Sequence, residues 1–380
     1  MGYQQALEQT IGVPFTEGNS VTILKNGDEI FPAMLQAISD AQHSISFLTF
    51  VYWKGDIADK FAKLFAEKAR KGLSVKVLLD SYGSFPMRQE LVDLMKDSGV
   101  NVVWFRPLSR WKIWKIDNRT HRKILICDGK IAFTGGVGIA EEWNGNARNK
   151  DEWRDTHFKI EGQAIEGIKA AFTENWIEAG NNLEIEKEDS PKWEASGNVK
   201  IQTVRTSASV RWSDIVLLYQ SLMELAEKRI LIQTAYFNPD DKLVELLSKK
   251  AKEGIEVKII IPGKYTDQRA TKIIAGESFE TLLEAGVELF FYQKTMMHAK
   301  VIMIDDELSC IGSANFNHRS MLKDDEVNLV MIDEATSKEL RNHFNEDLES
   351  CDRVTNFRWK KRDMLRRAFE TVLMPFKQQL

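Results

Sequence analysis

One short pattern occurs twice in the chain and constrains the fold more than any other feature. It reads His, any residue, Lys, four residues, Asp, and a Gly-small pair begins seven residues after each Asp. The two copies are His121, Lys123 and Asp128, and His298, Lys300 and Asp305. The chain has only six His, so two matched copies indicate a duplicated half and a reaction that needs two His.

The segments before each copy repeat as well. In each half a β-rich run, a helical pattern, a second strand-like run and a Gly-Val pair precede the motif. These segments are 44–52, 56–71, 73–79 and 99–100 in the first half, and 229–237, 240–253, 255–261 and 286–287 in the second. The order predicts an α/β fold of two pseudo-symmetric halves, each a mostly parallel central β-sheet flanked by helices, with the active site at their interface.

Composition along the chain sets the expected boundaries. We expect a first half at 1–180, an acidic, polar linker at 181–199, a second half at 200–352, and a basic amphipathic segment at 353–380. The N-terminus lacks the basic and apolar regions of a signal peptide, and no run of eighteen apolar residues predicts a transmembrane helix. The net charge of −4 argues against a nucleic-acid partner.

The motif residues suit phosphodiester chemistry. Residues i and i+2 of an extended segment share a face, so His and Lys of each copy point into one pocket. One neutral His can attack phosphorus while the other protonates the leaving alkoxide, and two Lys stabilise the phosphoryl charge. With four such groups no metal or other cofactor is expected. Each motif Asp falls on the opposite face and is expected to anchor structure.

A carboxylate is expected behind each imidazole to fix its tautomer. Downstream of the first motif, the sequence offers Asp155. Downstream of the second, at a similar offset, it offers Glu326.

These features resemble the phospholipase D superfamily, and within it the bacterial cardiolipin synthases. Beyond the doubled motif, the supporting phrases are 24–34, 120–123, 133–136, 153–157, 234–239 and 312–320. The resemblance implies that His121 is the nucleophile and His298 the acid/base, although the pseudo-symmetric sequence by itself does not separate them. It includes each motif Asp among the catalytic residues, and Ser313 and Asn315 as supporting residues. The first-half counterpart of Asn315 is Gly138, where the family commonly has Asn.

The implied enzyme is a phosphatidyltransferase that makes cardiolipin from phosphatidylglycerol through a covalent phosphohistidine. Two alternatives stay open: a phospholipase D-type hydrolase, in which water is the acceptor, and, less favoured, a nucleic-acid phosphodiesterase. The expected partner is an anionic phospholipid at a membrane surface. The oligomeric state is not predicted.

Two basic, aromatic segments have two interpretations each. The insert before the first motif contacts either its own half or a membrane, since Trp favours the interface and Lys favours anionic headgroups. The C-terminal segment, with eight basic and two acidic residues, is either a docked helix or an interfacial one. The candidate membrane contacts are Trp111, Lys112, Trp114, Lys115, Arg362 and Arg366. The expected location is the cytoplasmic face of the bacterial inner membrane, or the cytoplasm.

Overall fold

The computed structural model describes residues 2–107, 118–183, 193–207, 213–267 and 276–355. All six candidate membrane contacts lie outside these residues, and so do residues 184–192 of the expected linker.

The first half alternates strands and helices up to its His motif and then continues as antiparallel strands. Its elements are α1 (Tyr3–Ile11), β1 (Thr16–Lys25), α2 (Asn26–Asp40), β2 (Ser44–Thr49), α3 (Asp56–Arg70), β3 (Ser74–Asp80), α4 (Gln89–Asp97), β4 (Asn101–Phe105), β5 (Ile124–Cys127), β6 (Ile131–Gly135), β7 (Thr156–Glu161) and α5 (Ile165–Glu178). A short 3-10 helix, Glu141–Trp143, lies between β6 and β7.

The second half repeats this order. Its elements are β8 (Val199–Thr206), α6 (Asp214–Leu225), β9 (Arg229–Gln233), β10 (Phe237–Asn238), α7 (Asp241–Lys252), β11 (Glu256–Pro262), α8 (Gly276–Glu284), β12 (Glu288–Tyr292), β13 (Val301–Ile304), β14 (Leu308–Gly312), β15 (Phe316–Asn317), α9 (His318–Leu322), β16 (Glu326–Ile332), α10 (Glu334–Leu348) and β17 (Cys351–Arg353).

Local sequence explains the helix ends. In α3, the buried residues Ile57, Phe61 and Phe65 recur at helical spacing and face the core. Gly72, with φ of 91°, follows the helix in the left-handed conformation that glycine adopts without strain. In α7, the Asp240 side chain caps the first turn by accepting a hydrogen bond from the Leu243 N–H.

One continuous 15-stranded sheet joins the halves, in the order β17-β12-β11-β9-β13-β14-β16-β8-β1-β7-β6-β5-β2-β3-β4. Leaving out β17, the order reads the same outward from the β1–β8 junction in both directions, which confirms the predicted pseudo-symmetry. The sheet is mixed. The outer strands of each half are parallel: β2, β3 and β4 in the first half, and β9, β11 and β12 in the second. Between β2 and β9 in the sheet order, across its centre, neighbouring strands are antiparallel.

Three hydrophobic clusters form the core. Two lie under the outer helices, one in each half, with Phe61 and Leu222 as respective examples. The third is shared: α5 and α10 pack against strands of both halves, with Phe172 and Phe344 among its buried residues. This shared core fixes the halves against each other and therefore fixes the site between them.

Helix α1 belongs to the first half in sequence but packs on the second half. Leu7 is fully buried in the same cluster as Tyr219 and Leu222. The Tyr3 hydroxyl donates a hydrogen bond of 2.6 Å to Asp305. Among the described helices, none is both long and apolar enough to cross a membrane.

Candidate active site

Backbone bridges bring each His motif against the other half. The His121 N–H donates to the Asp325 carbonyl, and the Asp325 N–H donates to the Arg119 carbonyl, each at 2.9 Å. On the other side, the His298 N–H donates to the Arg154 carbonyl at 2.7 Å, and the Arg154 N–H to the Met296 carbonyl at 2.9 Å. The residue after each bridging partner, Glu326 or Asp155, is thereby placed beside a His of the opposite half.

The two imidazole–carboxylate pairs therefore cross between the halves. His121 Nδ1 lies 3.0 and 3.2 Å from the two carboxylate oxygens of Glu326. His298 Nδ1 lies 2.7 Å from Asp155 Oδ2. The sequence offers each carboxylate downstream of its own half's motif, and the structure exchanges them. With Nδ1 facing a carboxylate, Nε2 of each His is the nitrogen available for chemistry.

The two motif lysines lie beside their own His. Each ammonium donates to the backbone carbonyl of the His two residues earlier, Lys123 to His121 at 2.7 Å and Lys300 to His298 at 2.6 Å. Lys300 Nζ also lies 3.1 and 3.3 Å from the two ring nitrogens of His298. The regular strands start one residue after each Lys, at Ile124 and Val301. His and Lys therefore sit on extended chain just before the strand.

Burial lowers the pKa of all four cationic groups. It lowers the pKa of His121 to about 4, with Glu326 acting in the opposite direction, and that of His298 to about 3, where the charge on Lys300 adds to the effect. The pKa of Lys123 falls to about 7 and that of Lys300 to about 8. Desolvation penalises each positive charge, so an anion bound among these groups would stabilise their protonated forms.

The two motif Asp residues do not join this cluster. Asp128 lies in the β5–β6 turn, and its carboxylate accepts the backbone N–H groups of residues 42–44 at 2.8–2.9 Å. Asp305 occupies the same turn between β13 and β14 and accepts the N–H groups of residues 227–229. Both adopt φ near 54°, a left-handed conformation that Asp tolerates. Their contacts fasten a hairpin turn to the start of β2 or β9, so they do not reach the reacting groups.

The supporting residues differ between the halves. Ser313 is buried, and its hydroxyl donates to Glu326. Asn315 is also buried, and within the described part of the chain its Oδ1 has no hydrogen-bond partner. At Gly138, a Cβ atom would lie 2.7 Å from Val51 Cβ and 3.3 Å from Trp143 Cζ3. The first half therefore has no room for an asparagine at this position.

Aromatic rings surround the two imidazoles unequally. Phe50 meets His121 edge to face at 5.3 Å, and its ring lies 5.6 Å from Lys123 Nζ. Trp143 and Trp153 lie 5.1 and 5.3 Å from the His298 ring. These rings shield the site from water and strengthen electrostatic interactions inside it.

Sequence reasoning missed Arg122, which lies between the two residues of the first motif. Its side chain is fully buried, donates to the Glu326 carbonyl at 3.1 Å, and reaches α5 and β8. It also missed Trp143 and Phe50. Side chains alternate between faces on extended chain, so the sequence could have indicated that Arg122 points away from His121 and Lys123 into the protein interior.

Two imidazoles, two ammonium groups and two carboxylates thus converge from both halves. This arrangement can bind a phosphate diester and pass protons on either side of phosphorus. Within the described ranges, no three His, Cys, Asp or Glu side chains form a group that could hold a metal ion.

Comparisons with known proteins find similar sequences over most of the chain. Residues 34–152 and 219–348 match the family model described as cardiolipin synthase, PLD-like domain. Cardiolipin synthase 1 of Bacillus cereus is 32% identical over 378 residues, which cover 97% of this chain and 74% of that protein. The cardiolipin synthase of Clostridium perfringens strain SM101 is 32% identical, with 94% and 76% covered.

Solved structures with low sequence identity share the fold. Phosphatidylserine synthase of Haemophilus influenzae superposes with a TM-score of 0.75 at 14% identity, covering 99% of both chains. Polyphosphate kinase of Porphyromonas gingivalis has a TM-score of 0.59 at 12% identity, covering 95% of this chain and 53% of that one.

Proposed function

Because the chain belongs to the cardiolipin synthase family of phospholipase D-like proteins, we propose that it transfers a phosphatidyl group between two molecules of phosphatidylglycerol. The products are cardiolipin and glycerol. The observation that carries the proposal is the crossed pairing of His121 with Glu326 and of His298 with Asp155. This pairing brings two differently partnered imidazoles close to two lysines, which supports a site for a phosphate anion.

The first step forms a bond between His121 Nε2 and phosphorus and breaks the bond from phosphorus to the glycerol oxygen. The low pKa of His121, about 4, keeps this imidazole neutral and nucleophilic near pH 7. His298 supplies the proton that leaves with glycerol. It must first become protonated, which the phosphate anion and Asp155 favour. Lys123 and Lys300 stabilise the charge on the phosphoryl oxygens.

The second step reverses these roles. A hydroxyl of a second phosphatidylglycerol attacks phosphorus while His298 Nε2 takes its proton. The phosphorus–nitrogen bond to His121 then breaks, which releases cardiolipin and restores both imidazoles. Over the two steps, His121 and His298 return to the protonation states in which they began. The proposed mechanism assigns no step to a metal.

The lipid substrate requires contact with a membrane surface, and we propose a peripheral location on the cytoplasmic face. The candidate contacts in the insert and the C-terminal segment stay predictions. Sedimentation with anionic vesicles tests the peripheral contact with a membrane. Retention of the protein in the supernatant at low salt would contradict it.

Product identity tests the reaction. Labelled phosphatidylglycerol in vesicles should give cardiolipin and glycerol, and His121→Ala should abolish both. Phosphatidic acid and glycerol as the only products would show that water is the acceptor and that the protein is a hydrolase. Turnover by His121→Ala at the unsubstituted rate would refute the proposed nucleophile.

A further inference from the structure

The two carboxylates of the site are held by different donors. Ser313, which follows Gly312 at the end of β14, donates to Glu326. The first-half position that corresponds to Ser313 is Gly136, which has no hydroxyl. A Cβ there would lie 2.3 Å from Asp155 Oδ1, so no larger residue fits. The first half must hold its carboxylate in another way.

Trp143 supplies the missing donor. Its indole Nε1 donates to Asp155 Oδ2 at 2.9 Å, the same oxygen that faces His298 Nδ1 at 2.7 Å. The indole ring also meets the His298 ring at 5.1 Å and 80°. Trp143 is 3% exposed, so water does not replace this hydrogen bond. One side chain therefore contacts both members of the pair.

The counterpart of Trp143 in the second half is Ser320, in the short helix α9. The Ser320 hydroxyl accepts the Asn315 N–H at 3.0 Å. In the first half, the corresponding neighbours are Gly138 and Trp143, and a Cβ at Gly138 would approach the indole to 3.3 Å. In the second half, Asn315 lies beside the small residue Ser320. In the first half, Gly138 lies beside the large residue Trp143. This accounts for the departure at Gly138.

We propose that Trp143 is a positioning residue that sets the orientation and proton affinity of His298 through Asp155, the role that Ser313 performs for His121 through Glu326. The inference rests on the proposed reaction, since it concerns the acid/base of that reaction. The indole N–H withdraws negative charge from Asp155. Without it, the carboxylate would stabilise the His298 imidazolium more strongly and raise its pKa.

The test is the pH dependence of glycerol release from phosphatidylglycerol vesicles. Trp143→Phe keeps an aromatic ring and removes the N–H. We expect kcat to fall about tenfold, as expected for one hydrogen bond to a charged group, with KM little changed. The limb of the pH profile that reports His298 should move to higher pH.

Trp176→Phe is the matched control. Trp176 is also buried, at 4% exposure, and within the described residues its Nε1 has no hydrogen-bond partner. It stacks on Phe172 in the shared core. This variant measures the general effect of replacing a buried Trp, and its pH profile should match that of the unsubstituted protein.

Trp143→His keeps an N–H donor on a smaller ring and separates donor loss from ring loss. Partial recovery of kcat relative to Trp143→Phe would support the proposal. An unmoved pH limb in Trp143→Phe, or equal impairment in Trp143→Phe and Trp143→His, would overturn it. Glycerol is released whether a lipid or water is the acceptor, so that result would leave the proposed reaction standing. No glycerol release from the unsubstituted protein would overturn the reaction and this inference together.

Discussion

The crossed pairing of the imidazoles makes a prediction that sequence order does not. The perturbation is a double-mutant cycle on stability that combines His121→Ala with Glu326→Gln. His121 Nδ1 lies 3.0 Å from Glu326 Oε1, and Glu326 is fully buried. A hydrogen bond to a buried charged group contributes about 1.5–3 kcal/mol, and an amide in its place retains part of that. The coupling free energy should therefore be about 1–2 kcal/mol.

The comparison cycle combines His298→Ala with Glu326→Gln. These two residues belong to the same half, yet His298 is paired with Asp155. Their coupling should stay below about 0.5 kcal/mol, the usual deviation from additivity for residues without shared partners. A third cycle, His298→Ala with Asp155→Asn, should match or exceed the first because its hydrogen bond is shorter, at 2.7 Å.

Urea unfolding at pH 7, followed by fluorescence and circular dichroism, gives the free energy of unfolding of each variant. Coincident transitions by the two probes are needed before the cycles are compared. A stronger coupling of Glu326 to His298 than to His121 would refute the crossed arrangement.

Three further predictions concern the same region. Gly138→Asn should lower the free energy of unfolding by about 2 kcal/mol through overpacking against Val51; a neutral effect in urea unfolding would contradict the 2.7 Å approach to Val51 Cβ. Arg154→Met should lower it by about 3–5 kcal/mol because Arg154 pairs with buried Asp347 at 3.0 Å, and adding Asp347→Leu should recover stability. Lys123→Met should abolish turnover yet raise the free energy of unfolding by about 1–3 kcal/mol at pH 7, because burial penalises the charged ammonium that it removes. In the folded protein the pKa of Lys123 is about 7, below its ordinary 10.5, so between these pH values the unfolded chain binds a proton that the folded protein does not. The free energy of unfolding of the unsubstituted protein therefore falls as pH drops from 10.5 to 7. If Lys123→Met were still more stable than the unsubstituted protein above pH 10.5, the buried charge would not be the cause.

The duplicated motif made most of the fold predictable. Two copies of one local order, with the same run of strands and helices before each, specify two related α/β halves. The extended chain at His121–Lys123 also put both side chains on one face, where the structure has them. The type of each element and the face of each side chain depend on periodicity within about ten residues, which a single sequence displays directly.

Contacts between distant segments could not be predicted in this way. The pairing of Glu326 with His121 depends on a backbone bridge between Thr120 and Asp325 and on the packing of α5 and α10 into the shared core. The packing of Leu7 on the second half is of the same kind. Trp143 belongs to no recognisable motif. Its role as a donor depends on the space that Gly136 leaves beside Asp155, which only the structure displays.

We propose that one reaction centre, built from both halves, forms a covalent intermediate on His121. The most direct measurement is rapid acid-free quenching of the protein with labelled phosphatidylglycerol, followed by peptide mapping of the label by mass spectrometry. We predict a phosphatidyl group on His121 that disappears in His121→Ala and persists longer in His298→Ala, where the acceptor hydroxyl loses its base. Label on His298, or turnover without labelled protein at any quench time, would show that His121 is not the nucleophile.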